Sequence, residues 1–307
     1  MAKNISRKQF LAVIPVLSSI PGMKSLFDKK QPLKISFSTL GCPDWSLDQI
    51  MSFADANGYS GIEIRGIKRQ MYLPLVPEFS NLSQISLTLQ KMEDHDLKFV
   101  DLGSSAAMHF PDGITRNQNL GEAKNYIDLA AKMNSPYVRV FPNELPVERS
   151  KEESIKLIID GLRDLGEYAA NKNVTVLLES HGKLIYKDDL YKVMRGVGHS
   201  HVGMVWDICN MWVATKEPPR DVYNLLRPYI KHTHIKDMTL TNGKEEYVLL
   251  GKGEVPIFEA INILRRNGYS GYYSFEWEKL WHPEIQAPEI ALSDFPLAME
   301  QNALNLK

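Results

Sequence analysis

The chain has 307 residues, of which 44% are hydrophobic, and its 36 basic and 37 acidic residues leave a formal net charge of −1. This length fits one α/β barrel with an N-terminal extension, and the balanced charge excludes a general attraction to nucleic acid or to an anionic membrane. The two cysteines, Cys42 and Cys209, are too few for a disulfide framework and are expected to be buried thiols.

The first thirty residues have the layout of an export signal. Residues 1–8 carry three positive charges and no acidic residue, and residues 10–23 are almost entirely apolar or small. Residues 6–11 also resemble a twin-arginine signal in which Lys8 replaces the second arginine. The apolar stretch is too short to span a bilayer. We therefore expect an exported, periplasmic protein, or a cytoplasmic one if residues 1–30 are only a tail, with residues 31–307 as the catalytic domain.

From Lys34 onward, strand signals and helix signals alternate. Short apolar runs predict buried parallel strands over residues 34–39, 61–64, 98–102, 137–141, 174–179, 202–207, 230–234 and 272–276. Capping residues and longer periodic segments predict helices over residues 46–57, 82–95, 119–133, 151–171, 188–197, 222–229, 256–267 and 290–305. Eight units in series without a linker predict a single (β/α)₈ TIM barrel. The rival fold, an open doubly wound sheet, would require a glycine-rich phosphate loop that the sequence lacks.

Four strands in the second half of the chain each end on a residue that can bind a metal ion. The strand ends of such a barrel converge on one shallow site. We therefore predict that one divalent metal ion is held there by Glu179, Asp207, His234 and Glu276. Oxygen-rich ligation with a single imidazole favours Mn²⁺, Mg²⁺ or Co²⁺, and Zn²⁺ also suits this donor set.

These four residues resemble the metal ligands of the xylose isomerase-like TIM barrels. The segments that fit the pattern of that superfamily are residues 61–66, 137–141, 178–182, 206–210, 232–237 and 251–256. The resemblance spans roughly residues 34–307. It implies a barrel enzyme from a group that contains sugar and sugar-phosphate isomerases and epimerases, inosose dehydratases and the endonuclease IV enzymes.

Three positions depart from the ketose 3-epimerases of this superfamily. Those enzymes carry a histidine three residues after the metal aspartate, where this chain has Asn210. They carry a glutamate six residues after the first ligand and an arginine six residues after the metal histidine, where this chain has Ile185 and Leu240. The resemblance therefore implies either an isomerase or epimerase, or a metal-dependent lyase that eliminates the aglycone from 3-keto-glycosides.

Both activities share one chemical step. A divalent ion that holds a carbonyl oxygen and an adjacent hydroxyl acidifies the C–H bond beside the carbonyl by stabilising the enediolate. Glu179 and Glu276 are expected to remove and return the proton, and the site decides whether epimerisation, isomerisation or elimination follows. Lys236 and His181 are further acid or electrophilic candidates. Alternatively, Lys236 forms a salt bridge at the rim and His181 orients Glu179.

Five other residues are candidates for substrate binding: His109, Arg139, Asn210, Trp281 and Trp45. The indole faces can pack on the C–H face of a sugar ring, whereas Arg139 can instead form a buried ion pair inside the barrel. The absence of a basic cluster or a glycine nest in the sequence favours an unphosphorylated or glycosidic substrate.

Two other functional classes fit the sequence less well. An endonuclease IV-like DNA repair enzyme would need more histidine ligands than the eight histidines of this chain supply, and also a basic groove. A non-catalytic sugar-binding barrel would not require two carboxylates facing each other over a metal ion. The expected partner is a small carbohydrate, with no nucleic acid and no stable membrane insertion. A homo-oligomer is compatible with the sequence.

Overall fold

The structure, a computed structural model, describes residues 33–241 and 244–304. The predicted export segment, residues 1–30, lies outside the described residues. Within the described part of the chain, no helix combines the length and apolarity needed to cross a membrane.

The described residues contain ten strands, and eight of them close into a parallel barrel. The strands are β1 (Ile35–Ser38), β2 (Gly61–Ile64), β3 (Lys98–Ala107), β4 (Tyr137–Phe141), β5 (Thr175–Glu179), β6 (Val202–Asp207), β7 (Ile230–Ile235), β8 (Asp237–Thr241), β9 (Lys244–Val248) and β10 (Tyr273–Phe275). The barrel order is β1-β10-β7-β6-β5-β4-β3-β2, while β8 and β9 form a separate antiparallel hairpin. The predicted (β/α)₈ fold is confirmed.

Nine α-helices of the described residues accompany the strands. They are α1 (Leu47–Ala56), α2 (Leu82–Asp94), α3 (Ile114–Lys132), α4 (Lys151–Ala170), α5 (Lys187–Val197), α6 (Ile208–Thr215), α7 (Pro219–Leu226), α8 (Ile257–Arg266) and α9 (Pro288–Leu304). Capping boxes fix two of the predicted starts. Ser46 and Gln49 close the first turn of α1, and Ser150 and Glu153 close that of α4. Each box satisfies backbone N–H groups that have no partner inside the helix.

The third βα unit differs most from its predicted bounds. Strand β3 continues to Ala107, five residues beyond the predicted end, and its register with β4 shifts between Gly103 and Ala107. Helix α3 begins at Ile114 instead of residue 119. The guanidinium of Arg116, in the first turn, donates to the carbonyls of Met108 and Phe110, which ties the new helix start to the strand end.

Polar side chains occupy part of the barrel interior. Ser36, Glu63, Asp101, His232 and Ser274 are all fully buried. Apolar side chains fill the space between the strands and the helices, and both cysteines are buried free thiols, as predicted. Glu63 joins His232, His234 and Ser274 in one hydrogen-bonded group, whereas Ser36 Oγ and the Asp101 carboxylate have no hydrogen-bond partner among the described residues. This interior layer lies directly beneath the strand ends that form the site.

Candidate metal centre and active-site cavity

The four predicted metal ligands converge at the carboxyl ends of β5, β6, β7 and β10. Each offers one ligand atom, and these atoms all lie within 4.8 Å of one another. The Nδ1 atom of His234 lies 3.4 Å from Glu179 Oε1, 3.4 Å from Glu276 Oε1 and 3.9 Å from Asp207 Oδ2. All four side chains are buried. The convergence follows from strand alternation, since each ligand is on the inward face where its strand ends.

The donor set fits a divalent cation. His234 Nδ1 is buried without a hydrogen-bond partner among the described residues. The three carboxylates outnumber the two side-chain cations that contact them, Arg139 and Lys236, so a metal ion would balance the remaining negative charge. Three carboxylates and one imidazole match the ligand preferences of Mn²⁺, Mg²⁺, Co²⁺ and Zn²⁺.

Glu63 orients the histidine ligand from beneath. Its Oε2 atom lies 3.1 Å from His234 Nε2 and 2.8 Å from His232 Nε2, and it accepts a hydrogen bond of 2.9 Å from Ser274. Burial raises the pKa of Glu63, but the two histidines outweigh that effect and hold it below the ordinary value. Because the Glu63 carboxylate holds the N–H group at Nε2, the lone pair of Nδ1 is left to face the site. Glu63 was not among the predicted site residues, although its place at the end of a strand was a usable signal.

Lys236 lies inside the site and not at its rim. Its Nζ atom is 2.8 Å from Asp207 Oδ2, 2.5 Å from Glu276 Oε2 and 2.8 Å from Glu278 Oε1, and the side chain is fully buried. Burial lowers the pKa of Lys236, but Asp207 and Glu276 outweigh it and hold the pKa well above its ordinary value. The ammonium group therefore stays charged between these carboxylates.

Arg139 makes the ion pair that the sequence offered as an alternative. Its Nε atom lies 3.1 Å from Glu179 Oε2, and its guanidinium lies 3.9 Å from the ring centroid of Phe141. The side chain is buried but still contributes to the wall of the cavity above the ligands. Glu179 and Glu276 therefore resemble each other, because in both one oxygen points to His234 and the other contacts a cation.

A cavity of about 590 Å³ opens above the four ligands. Of the other predicted residues, His181, Asn210 and Trp281 line it. His181 Nδ1 lies 3.1 Å from Asn143 Oδ1, and burial lowers the pKa of His181 below its ordinary value. The backbone N–H of Asn210 donates to Asp207 Oδ1 over 2.8 Å, so this proposed ligand is also the N-cap residue of α6.

Two predicted substrate-binding residues lie away from this cavity. His109 packs on Phe110, with ring centroids 4.1 Å apart, and is not part of the cavity wall. Trp45 packs on Phe53 of α1, with centroids 4.9 Å apart, in a shallow surface depression. Nine of the eleven predicted site residues are thus among the four converging side chains, on the cavity wall, or in direct ion pairs with those four.

The β8–β9 hairpin forms one wall of the cavity and was not predicted. Met238, Glu245 and Tyr247 line the cavity, and the Tyr247 ring packs on His282 with centroids 4.9 Å apart. Asp237, at the base of the hairpin, accepts hydrogen bonds from the backbone N–H groups of Gly251 and Gly253 over 2.8 and 2.9 Å. These bonds fasten the hairpin to the loop that leads to α8.

The fold and the ligand set define a family, and comparison with known proteins identifies it. Residues 51–293 match the xylose isomerase-like TIM barrel family, and the chain belongs to it. The predicted resemblance is confirmed. The chain is 25% identical over 232 residues to the 3-dehydroshikimate dehydratase of Bacillus anthracis, covering 70% of this chain and 78% of that protein. It is also 25% identical over 244 residues to the inosose isomerase of Halalkalibacterium halodurans, covering 76% and 82%.

A solved structure shares the whole architecture. The crystal structure of the IOLI protein with a bound zinc atom superposes with a TM-score of 0.71 and 20% identity, covering 89% of this chain and 97% of that one. Dehydratase and isomerase activities therefore both occur among the curated relatives. The converging ligands and these relatives are consistent with an enzyme that uses a divalent metal ion and acts on a small polyhydroxylated substrate.

Proposed function

We propose that the protein is a divalent-metal-dependent carbohydrate isomerase or epimerase that removes a proton from the carbon beside a carbonyl group. The observation that carries this proposal is the symmetric placement of Glu179 and Glu276. Each carboxylate lies 3.4 Å from His234 Nδ1 and borders the cavity, and the two belong to strands separated by β6 and β7. A substrate between them would present two sides of one carbon to two proton-transferring groups.

The cation supplies Lewis acidity toward the carbonyl group when it is bound, and Glu179, Asp207, His234 and Glu276 would hold it. Two positively charged side chains fix the geometry of the two proton-transferring carboxylates. Arg139 holds one oxygen of Glu179, and Lys236 holds one oxygen of Glu276. Because neither carboxylate can rotate freely, the remaining oxygen of each stays directed toward His234 Nδ1, at the floor of the cavity where a substrate would lie, which lowers the entropic cost of the reaction.

A second candidate is a lyase that eliminates an oxygen substituent, including the aglycone of a 3-keto-glycoside. Lys236 and Glu278, joined by a contact of 2.8 Å, lie beside Glu276 and can stabilise or protonate a departing oxygen. Ile185 and Asn210, which stand where 3-epimerases carry polar residues, both line the cavity. The dehydratase relative also supports this second candidate.

Proton exchange in D₂O tests the proposal. We expect the Mn²⁺-loaded protein to place deuterium beside the carbonyl of one member of a panel of neutral ketoses, ketohexuronates and 3-keto-glycosides, observed by NMR. Exchange with a ketose and formation of its epimer or isomer supports the first candidate, whereas release of an aglycone supports the lyase. The Glu276→Gln variant should lose at least about 10²-fold in exchange rate while keeping its circular dichroism spectrum. A Glu276→Gln variant with an unchanged exchange rate contradicts the proposed role of this residue, and the absence of exchange with every panel member contradicts the function.

A further inference from the structure

Two arginines meet on one wall of the cavity. Arg65 directly follows β2, Arg139 lies in β4, and β3 runs between those strands. Gly103 of β3 separates their side chains, because a Cβ atom there would lie 2.9 Å from Arg139 Nη2 and 2.9 Å from Arg65 Cδ. Both arginines line the cavity that contains Glu179 and Glu276. The linear sequence hides this pair, since its members come from strands that are not adjacent.

The two guanidinium groups differ in their partners. Arg139 contacts the Glu179 carboxylate, whereas no carboxylate oxygen of residues 33–241 or 244–304 lies within 4.0 Å of a nitrogen of Arg65. Arg65 donates to the carbonyl of Gly103 over 3.3 Å and to Ser105 Oγ over 2.9 Å. These two bonds use two of the five N–H donors that a guanidinium carries. The nearby Glu122 accepts the backbone N–H of Ser105 instead.

Arg65 is therefore a charged group with little solvent and, among the described residues, no carboxylate in contact with it. The residue is 7% exposed. Burial and the charge of Arg139 together lower the pKa of Arg65 to about 10, against the opposing effect of Glu122 and Glu179, so the group is still protonated at neutral pH. A buried unpaired charge is unfavourable, and a planar guanidinium is complementary to an acid group with two oxygens. An anionic group on a ligand in the cavity would supply the missing partner.

We propose that Arg65, together with Arg139, binds a carboxylate of the substrate, so that the substrate is a polyhydroxylated acid and not a neutral sugar. This inference rests on the proposed function only for the placement of the hydroxyl and carbonyl groups at Glu179 and Glu276. A guanidinium can pair through two hydrogen bonds with a carboxylate or with a phosphate. The sequence lacks the basic cluster or glycine nest of a phosphate pocket, and this favours the carboxylate. Phosphate shares the same charge, so the test includes it as a separate ligand.

Calorimetric titration with three probes tests the inference without requiring turnover. The probes are D-glucuronate, D-glucose and D-glucose 6-phosphate, added to the Mn²⁺-loaded protein. We expect glucuronate to bind about tenfold or more tightly than glucose, because glucose has no carboxylate to form the charge-assisted hydrogen bonds with Arg65. The Arg65→Met variant should lose this preference, and Arg65→Lys should keep part of it. Arg69→Met is the matched control, because Arg69 is exposed and pairs with Asp44 outside the cavity.

Three outcomes overturn the inference. The first is equal affinity of the unmodified protein for glucose and glucuronate. The second is an unchanged preference for glucuronate in Arg65→Met, because the carboxylate would then bind the metal ion and not Arg65. Tighter binding of glucose 6-phosphate than of glucuronate would replace the carboxylate by a phosphate. Unchanged Mn²⁺ affinity and melting temperature in Arg65→Met and Arg65→Lys separate ligand binding from a structural role. Since this readout is binding, it can fail while deuterium exchange succeeds, and the reverse also holds.

Discussion

At the scale of single residues, the position of Glu63 explains why His234 presents Nδ1 to the other ligands. An imidazole can bind a metal through either nitrogen, and the partner of the second nitrogen decides which one is free. Glu63 Oε2 lies 3.1 Å from His234 Nε2, and Ser274 and His232 hold Glu63 in turn. The proposed metal centre therefore depends on a carboxylate that is not part of the cavity wall.

Replacing Glu63 by glutamine should weaken metal binding. The amide keeps the size of the side chain but removes the charge that favours Nε2–H on His234, and metal affinity should fall about 10- to 100-fold. Mn²⁺ titration by calorimetry measures the change. Glu93→Gln, on the exposed face of α2, is the matched control. An unchanged Mn²⁺ dissociation constant in Glu63→Gln would show that His234 is oriented without this carboxylate.

At the scale of elements, the strands that carry the proposed ligands could be predicted from the sequence, whereas the hairpin and the helix α6 beside them could not. Runs such as Val202–Asp207 are short, apolar and end on a charged residue, so both the strand and its ligand stand out. The hairpin strands β8 and β9 are polar and partly exposed, and they lack such a signal. Asp207 is also the N-cap residue of α6, but its sequence context indicated only a role as a metal ligand, and α6 was not predicted.

Contacts across the barrel were also beyond the reach of local patterns. Glu63 contacts His232 and His234, which are 169 and 171 residues away in the sequence. Arg65 and Arg139 approach each other over Gly103. Strand alternation predicts which face a side chain occupies, but only the closed barrel and its register decide which side chains meet across it. The convergence of the four proposed ligands was predictable because all strand ends converge, whereas their supporting residues depend on pairings that the sequence does not display.

The hairpin depends on Asp237, whose replacement by asparagine should loosen the cavity wall. Asp237 accepts backbone hydrogen bonds from Gly251 and Gly253 through one oxygen, and from Met238 and Val255 through the other. An asparagine would place an NH₂ group against N–H donors, at a cost of about 1–3 kcal/mol. Trypsin cleavage at the exposed Lys244 should become about tenfold faster, because local opening follows that free energy.

The cleavage experiment has a matched control on the barrel exterior. Asp221 lies exposed in the first turn of α7, so Asp221→Asn should leave the cleavage rate at Lys244 unchanged. The Asp237→Asn variant should also raise the KM of the enzyme more than it lowers kcat, since the hairpin forms the wall of the cavity and not its proton-transferring groups. Equal cleavage rates in Asp237→Asn and in the unmodified protein would show that other contacts hold the hairpin.

At the scale of the whole molecule, the barrel gathers several buried acidic groups around one point. Glu179, Asp207 and Glu276 are compensated by Lys236, Arg139 and His234, which are buried with them. Burial raises the pKa of Asp207 to about 7, with Lys236 opposing that rise. With a neutral His234, the two cations Lys236 and Arg139 leave these three carboxylates with an excess of negative charge, and a bound metal ion would relieve the remaining repulsion.

Divalent metal should consequently stabilise the fold, and more at pH 8 than at pH 6. A ligand at one hundred times its dissociation constant contributes about 2.7 kcal/mol, which corresponds to a rise in melting temperature of roughly 5 °C for a domain of this size. Because the folded pKa of Asp207 lies above its unfolded value, the metal-free protein loses stability as the pH rises toward about 7. Metal binding requires the deprotonated carboxylate, so the gain in stability from Mn²⁺ grows over the same pH interval.

Melting curves with Mn²⁺ and with a chelator measure both effects. In Asp207→Asn the rise with Mn²⁺ should largely disappear, and an equal rise at both pH values or in this variant would refute the link between the buried carboxylates and the metal.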